Sequence, residues 1–300
     1  MRQGPFAAPG RFYKGNLHTH STRSDGWLAP DAVVAAYRAH GYDFLSLTEH
    51  FLPPFDFPIT DTRPFQTDDF TTLLGAELHA YRTEFDDFWH ILAVGLPPDF
   101  APWDPAETAP QLAARAAAAG AFIGIAHPAW YGLTLDEALS LESAHAVETY
   151  NYNCLICCDR ADSWHIYDQM LARGRHLNAY ACDDAHFKPD EPDGFGGWVQ
   201  VRAESLTPDA LLAALKAGNY YSSTGAELRD LDLTRANLTV ECAPASAVVL
   251  SGYGAHAITH REENLTRVTL PVREFAGSYV RVTVLDAAGH RAWSNPLWIE

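Results

Sequence analysis

The stretch Lys14-Gly15-Asn16-Leu17-His18-Thr19-His20 decides how this chain is read. Lys14–His18 reads as a short strand that delivers a His-x-His pair at its carboxyl end. Side chains two residues apart on an extended chain share a face, so both imidazoles can reach one metal ion. Asp25 follows in the turn Ser24-Asp25-Gly26. The arrangement recurs downstream. Strand candidates Phe44–Thr48, Leu73–Ala76, Phe122–Ala126 and Leu177–Ala181 run into Glu49-His50, Glu77, His127-Pro128 and Asp183-Asp184-Ala185-His186. Asp184 and His186 again stand two apart, whereas strand parity turns Asp183 away from them. Any one of the 14 histidines is more often a surface or satisfied core residue than a ligand. Independent scatter would not place them repeatedly at strand ends, and a ligand set of imidazoles and carboxylates suits Zn, Mn or Fe alike.

Between about residues 12 and 225 short apolar strands alternate with helical stretches, with further strands at Ile91–Gly95, Val147–Tyr150 and Trp198–Arg202. That alternation predicts parallel βα units. In a parallel barrel the carboxyl ends of the strands gather at one mouth, the usual place for an active site. Helices are predicted at Pro30–His40 and Leu112–Ala119, each stopped by a glycine. Others open at the capping box Thr134-Leu135-Asp136-Glu137 and at Thr207-Pro208. Phe51–Asp69, long and irregular, reads as an active-site lid. Beyond Gly225 helical periodicity disappears, and strands at Leu238–Cys242, Val248–Leu250, Arg267–Val272, Tyr279–Leu285 and Arg291–Trp293 replace it. The prediction is an α/β barrel with a metal site over 1–225 followed by a small all-β subdomain over 226–300.

A formal charge of −17 with only 21 Lys and Arg argues against duplex nucleic acid, whose binding rests on basic side chains neutralising phosphates. A small anionic substrate is compatible with it, because a metal cluster supplies positive charge locally. No apolar run of ~18 residues and no signal-like leader is seen, so the expectation is a cytoplasmic protein without a membrane partner. Five cysteines do not make a disulfide framework. Cys154-x-x-Cys157 lacks a second such pair, and these thiols read as buried and structural.

Taken in order, His18-x-His20, Asp25, Thr48-Glu49-His50, Gly75-Ala76-Glu77, His127-Pro128 and Asp184-x-His186 resemble the motifs of the PHP (polymerase and histidinol phosphatase) family over roughly residues 12–225. The resemblance implies an α/β fold, a distorted (β/α)7 barrel, with two or three divalent ions and phosphoesterase chemistry. It adds His90, in Phe88-Trp89-His90, which stands at the start of its strand where the strand-end argument gives no support. Laid on these positions, the family's arrangement gives one ion to His18, His20, Glu77 and Asp184. A second falls to Glu77, His90 and His127, and a third to Asp25, His50 and His186. A hydroxide on the ions, held by Glu77, His127 and Asp184, is then the nucleophile, since coordination lowers the pKa of water to about 7. The tail ending Arg291-Ala292-Trp293-Ser294-Asn295-Pro296 is similar to members with a C-terminal β-extension, some of them grouped with a carbamate-cleaving hydrolase. Relatives often carry Asp at Glu49, and Gly-Ser at Cys182-Asp183; neither change removes a ligand.

Weaker candidates surround these. His79 shares a face with Glu77 and is a candidate for substrate contact, while Arg82 and Lys188 are candidates for gripping phosphate. Glu148 is a candidate for orienting a ligand histidine. Trp130, Tyr131, Tyr150 and Tyr152 are candidates for a ring-binding wall. The expected activity is hydrolysis of a small phosphate ester, either a phosphomonoester or a cyclic or bisphosphorylated nucleotide. Two alternatives stand beside it: amide, carbamate or lactone hydrolysis at the same site, and a non-catalytic metal-stabilised binding module.

Overall fold

A computed structural model describes all 300 residues. Strands β1 (Arg11–Asn16), β2 (Phe44–Leu47), β3 (His50–Phe51), β4 (Thr71–Tyr81), β5 (Phe88–Val94), β6 (Phe122–Ile125), β7 (Ala146–Asn151) and β8 (Asn178–Cys182) form the first part of one large sheet. β9 (Trp198–Ala203) and β10 (Tyr220–Ser223) follow. The remainder is β11 (Leu228–Leu233), β12 (Asn237–Gly252), β13 (Ala257–Pro271), β14 (Ser278–Leu285), β15 (Arg291–Ser294) and β16 (Leu297–Ile299). Helices are α1 (Pro30–Ala39), α2 (Ala109–Ala118), α3 (Pro128–Tyr131), α4 (Leu135–Ser140), α5 (Tyr152–Cys158), α6 (Trp164–Ala172) and α7 (Pro208–Lys216). No helix is long and apolar enough to cross a membrane.

Local chemistry sets the helix ends. Thr134 and Glu137 form the predicted reciprocal capping box at α4, and Thr108 with Gln111 forms a second one at α2. Thr207 caps α7 through its side chain, Pro208 opens it, and Gly218 (φ +72°) ends it in the left-handed region.

The sheet order is β11-β12-β14-β15-β10-β9-β1-β2-β4-β5-β6-β7-β8. β1, β2 and β4 run parallel, as do β6, β7 and β8. An all-parallel arrangement is corrected in two places. β5 is antiparallel to both β4 and β6, because only the turn Thr83–Asp87 separates it from β4 and no helix can cross over in so short a link. β9 is antiparallel to β1 and to β10. The ends of the site-bearing strands meet where Thr19 bridges Ala185, with His20 N donating to Ala185 O and Asp184 N to His18 O, both at 2.9 Å.

Beyond β10 the chain contains strands and one short turn of 3-10 helix, with its own buried cluster around Leu238, Val240, Leu250 and Val282. The two predicted strands at 238–242 and 248–250 are one bulged strand, β12. Hydrogen bonding is continuous from β9 through β10 to β15. The first residues also join this part: Gln3 N donates to Leu231 O, and Phe6 lies in the same cluster. The expected boundary at residue 225 therefore falls inside one unbroken sheet.

Gly15 in β1 lies against the ring of Phe44, and an added Cβ would sit 2.1 Å from Phe44 Cζ. Gly15→Val is expected to cost about 2 kcal/mol through overpacking, read as a lowered midpoint in thermal or urea unfolding. An unchanged midpoint would mean that β1 and Phe44 do not pack as described.

Candidate metal centre

Glu77 is the centre of the cluster, and the sheet explains why. It lies on β4, which pairs parallel with β3 and antiparallel with β5. The register sets His50 directly beside Glu77, and His90 beside His79. Because β5 runs the other way, its amino end reaches the mouth that the other strands reach with their carboxyl ends. His90 thus arrives there from the start of its strand, which a strand-end reading could not foresee.

The structure brings the nine predicted ligands together. His18 Nε2 and His20 Nε2 lie 3.2 and 3.0 Å from Asp184 Oδ1. The same two atoms lie 3.6 and 3.8 Å from the two Glu77 oxygens. Glu77 Oε1 is 2.7 Å from His90 Nδ1 and 3.0 Å from His127 Nε2. Asp25 Oδ1 is 3.3 Å from His50 Nε2 and 3.4 Å from His186 Nε2. Ligands about 2.1 Å from a tetrahedral ion lie about 3.4 Å from one another, which is the spacing of these sets. Three buried atoms of the cluster, His18 Nε2, Glu77 Oε2 and His127 Nδ1, have no hydrogen-bond partner, although His50 Nδ1 lies 2.6 Å from the second. Buried polar atoms are rarely left so, and a cation between the sets would satisfy the first two. The donor set fits divalent metal.

Surrounding groups fix which nitrogen of each imidazole faces the centre. Carbonyl and carboxylate oxygens can only accept, so His186 donates through Nδ1 to Asp184 O (2.9 Å) and His18 through Nδ1 to Glu148 Oε1 (3.1 Å). His79, buried, donates through Nδ1 to Trp89 O (3.1 Å). Its Nε2 is then free to accept from His50 Nδ1 at 3.0 Å, which leaves His50 Nε2 pointing at Asp25. His79 stands behind a ligand and does not line the cavity as a substrate contact would. Glu148, fully buried, also accepts from His127 N (2.6 Å) and from the Cys182 thiol, so one carboxylate holds two ligand histidines. Asn151 Nδ2 donates to Asp184 Oδ2 (3.1 Å).

Two further carboxylates hold the loops that carry ligands. Glu49, buried, accepts from Ser21 N (3.1 Å) and Ser24 Oγ (2.6 Å), tying down the turn that presents Asp25. Asp183 accepts from Phe195, Gly196 and Gly197 amides and from Tyr37 Oη, away from the ligands. The sequence shows neither role, because each partner is distant in the chain or is a backbone amide. Two of the predicted ligands have left-handed backbone: Asp184 has φ +57° and His127 φ +22°. Such conformations cost about 1–3 kcal/mol each and persist where surroundings over-determine them.

A cavity of about 260 Å³ opens above the cluster. Beyond ligands it is lined by Trp130, Asn153, Cys154, Cys157, Lys188 and Glu191. Lys188 Nζ lies 3.7 Å from Glu191. Arg82 is exposed, paired with Asp86, and does not line the cavity. Of the four aromatics in the expected wall only Trp130 borders it, with its ring 5.3 Å from the rings of His90 and His127. Tyr150 packs on Trp293 instead. Cys157 and Cys158 are exposed, which corrects the reading of all these thiols as buried. In Phe51–Asp69, Phe55 stacks over His50 and Thr60 reaches Glu49.

The charges of the cluster are interdependent. Burial lowers the pKa of His20 and His90 to about 3, and neighbouring histidines add to this. Burial also opposes protonation of His50, yet Glu77 and Asp25 outweigh it and push its pKa up to about 10. His18, His127 and His186 are raised likewise against burial by adjacent carboxylates, and Glu77 and Asp184 are lowered by the histidines.

No family model matches this chain, and no curated protein matches it. A solved structure does. A two-domain protein from Bacteroides vulgatus, containing a predicted PHP-like metal-dependent phosphoesterase, superposes with a TM-score of 0.54 at 15% identity over 99% of each chain. At that identity the likeness is one of fold, the mixed α/β arrangement with a large sheet. A candidate metal-dependent phosphoesterase from Bifidobacterium adolescentis (TM-score 0.44, 15% identity) covers 67% of this chain and 94% of its own. An amidohydrolase from Chromobacterium violaceum with bound sulfate and no metal (0.45, 16%) covers 60% and 89%. These two likenesses are too loose to carry an argument.

His18, His50, His127 and His186 hold protons above the ordinary imidazole range, and each must lose one to bind an ion. Metal affinity should therefore rise with pH, by about tenfold or more between about pH 6 and about pH 8.5. Competition titration with a chelating dye checks this, and a flat profile would remove these imidazoles from the ligand set. Asp25→Asn should cost the protein a single ion, and Glu77→Gln more than one, by elemental analysis.

Proposed function

We propose that this chain is a metal-dependent hydrolase of small phosphate esters. The observation that carries the reading is the convergence of six imidazoles and three carboxylates into three adjoining sets around Glu77, with buried nitrogen and oxygen left unpaired between them. His18, His20, Glu77 and Asp184 would hold one ion, Glu77, His90 and His127 a second, and Asp25, His50 and His186 a third. Zn, Mn and Fe all suit these donors, with two or three sites filled. Bound there, the ions would bring the pKa of a water to about 7 and neutralise phosphoryl oxygens. Glu77, His127 and Asp184 face the same point and would orient that water. Among the side chains lining the cavity Lys188 carries the one fixed positive charge, and it would meet a phosphoryl oxygen at the mouth. Trp130 covers His90 and His127 and would exclude bulk water on that side. A 260 Å³ cavity favours a small substrate.

Purification without chelator, elemental analysis, and turnover of a panel of phosphate esters, amides, carbamates and lactones test this together. Two or three ions per chain with phosphate release is the expected result. Metal with carbonyl hydrolysis alone would reassign the chemistry, and no tightly held ion after addition of Mn or Zn would end the reading. Lys188→Ala should raise KM for the best phosphate ester roughly tenfold with kcat little changed, the mark of lost uniform binding.

A further inference from the structure

β8, which leads into Asp184 and His186, has a strand partner on one edge alone, β7. On its other edge no backbone ladder forms along β8 itself. The amides of Ala179, Ala181 and Asp183, which alternate along that edge, donate to side chains from three separate parts of the chain. Ala179 N meets Asn295 Oδ1 at 2.9 Å, Ala181 N meets Ser222 Oγ at 3.0 Å, and Asp183 N meets Asn16 Oδ1 at 3.0 Å. Immediately beyond, the backbone bonds of Asp184 and Ala185 to the His18–His20 segment take over. All three acceptor residues are buried.

Asn295 comes from the short link between β15 and β16 and is fully used. Its Nδ2 donates to Gly218 O and to Tyr220 O, both at 3.0 Å. The link is itself fixed: Val282 N donates to Ser294 Oγ (2.9 Å), and Trp293 packs on Tyr150 and Trp164. Ser222 Oγ also reaches Ala179 O at 3.3 Å. Sliding β8 along its axis would break these bonds together and strand buried amides, which proteins rarely tolerate. On this edge side chains, rather than a backbone ladder, hold the longitudinal position of β8, adding to its ladder with β7 on the other edge. Asp184 lies two residues beyond its end, so an error there passes directly to the ligands.

The geometry points to Asn295 and Ser222 as positioning residues of the metal centre, with the C-terminal β-segment supplying part of the seam along the free edge of β8. This inference rests on the reading of the cluster as a metal site. The full-length apo-protein and three variants test it, with Mn or Zn affinity, unfolding midpoint and amide exchange of the β8 peptide as readouts. Asn295→Ala and Ser222→Ala are expected to weaken metal affinity about tenfold to a hundredfold, the usual size of such effects, and to speed β8 exchange. Ser222→Thr, which keeps the hydroxyl, should restore most of the affinity. Val240→Ala, in the C-terminal core and remote from the seam, should lower the midpoint while leaving affinity unchanged. If the seam variants bind metal as tightly as Val240→Ala, or Ser222→Thr binds no better than Ser222→Ala, the positioning role is overturned. If the wild-type chain holds no ion, the metal-centre reading falls and this one with it. An Asn295 variant that does not fold leaves the Ser222 pair to decide.

Discussion

A carboxylate with no solvent exposure, Glu77, sets the terms for the whole mouth of this sheet. Removing an ionised carboxylate from water costs several kcal/mol even after relaxation, and that cost must be met by opposite charge and hydrogen bonds. Every strand around Glu77 contributes to meeting it. β3 brings His50 alongside in parallel register, β5 brings His90 from the opposite direction, and the ends of β1 and β6 bring His18, His20 and His127. The mixed strand directions are thus part of the site: a uniformly parallel sheet would leave His90 at the far end.

Outside the predicted ligands, the protein spends buried polar groups on orientation. Each acceptor whose chemistry is unambiguous assigns a tautomer: Trp89 O for His79, Asp184 O for His186, Glu148 for His18. His79 then transmits its assignment to His50. A cluster of imidazoles left free to rotate would present donors and lone pairs at random. Once their second protons are lost, the lone pairs of His18, His50 and His186 converge because a second layer has already taken their Nδ1–H groups.

Much of this was legible in the sequence because it is local. His18-x-His20 and Asp184-x-His186 follow from strand periodicity, and the capping box at Thr134 and the proline and glycine ends of α7 follow from terminal chemistry. What escaped depends on pairing between distant segments. The direction of β5 is set by the short turn after Tyr81, which apolar patterning does not weigh, and His90 could be had only through family resemblance. The roles of Glu49, Asp183, Ser222 and Asn295 rest on bonds spanning 25 to 146 residues or on backbone amides. Arg82 illustrates the opposite error. Proximity in sequence to Glu77 suggested substrate contact, yet β4 carries it past the mouth to a surface pair with Asp86.

The hydrogen bond between Ala179 and Asn295 joins positions far apart in the order of synthesis. A chain made from its amino end has β1 to β8 available early, yet the Ala179 amide on the free edge of β8 lacks its acceptor until residue 295 has been made. During that interval part of the β8 edge stays unpaired, the kind of surface on which misassembly begins. The candidate metal centre therefore matures last along a strand made early, and its assembly depends on residues far beyond the segment that bears the predicted ligands.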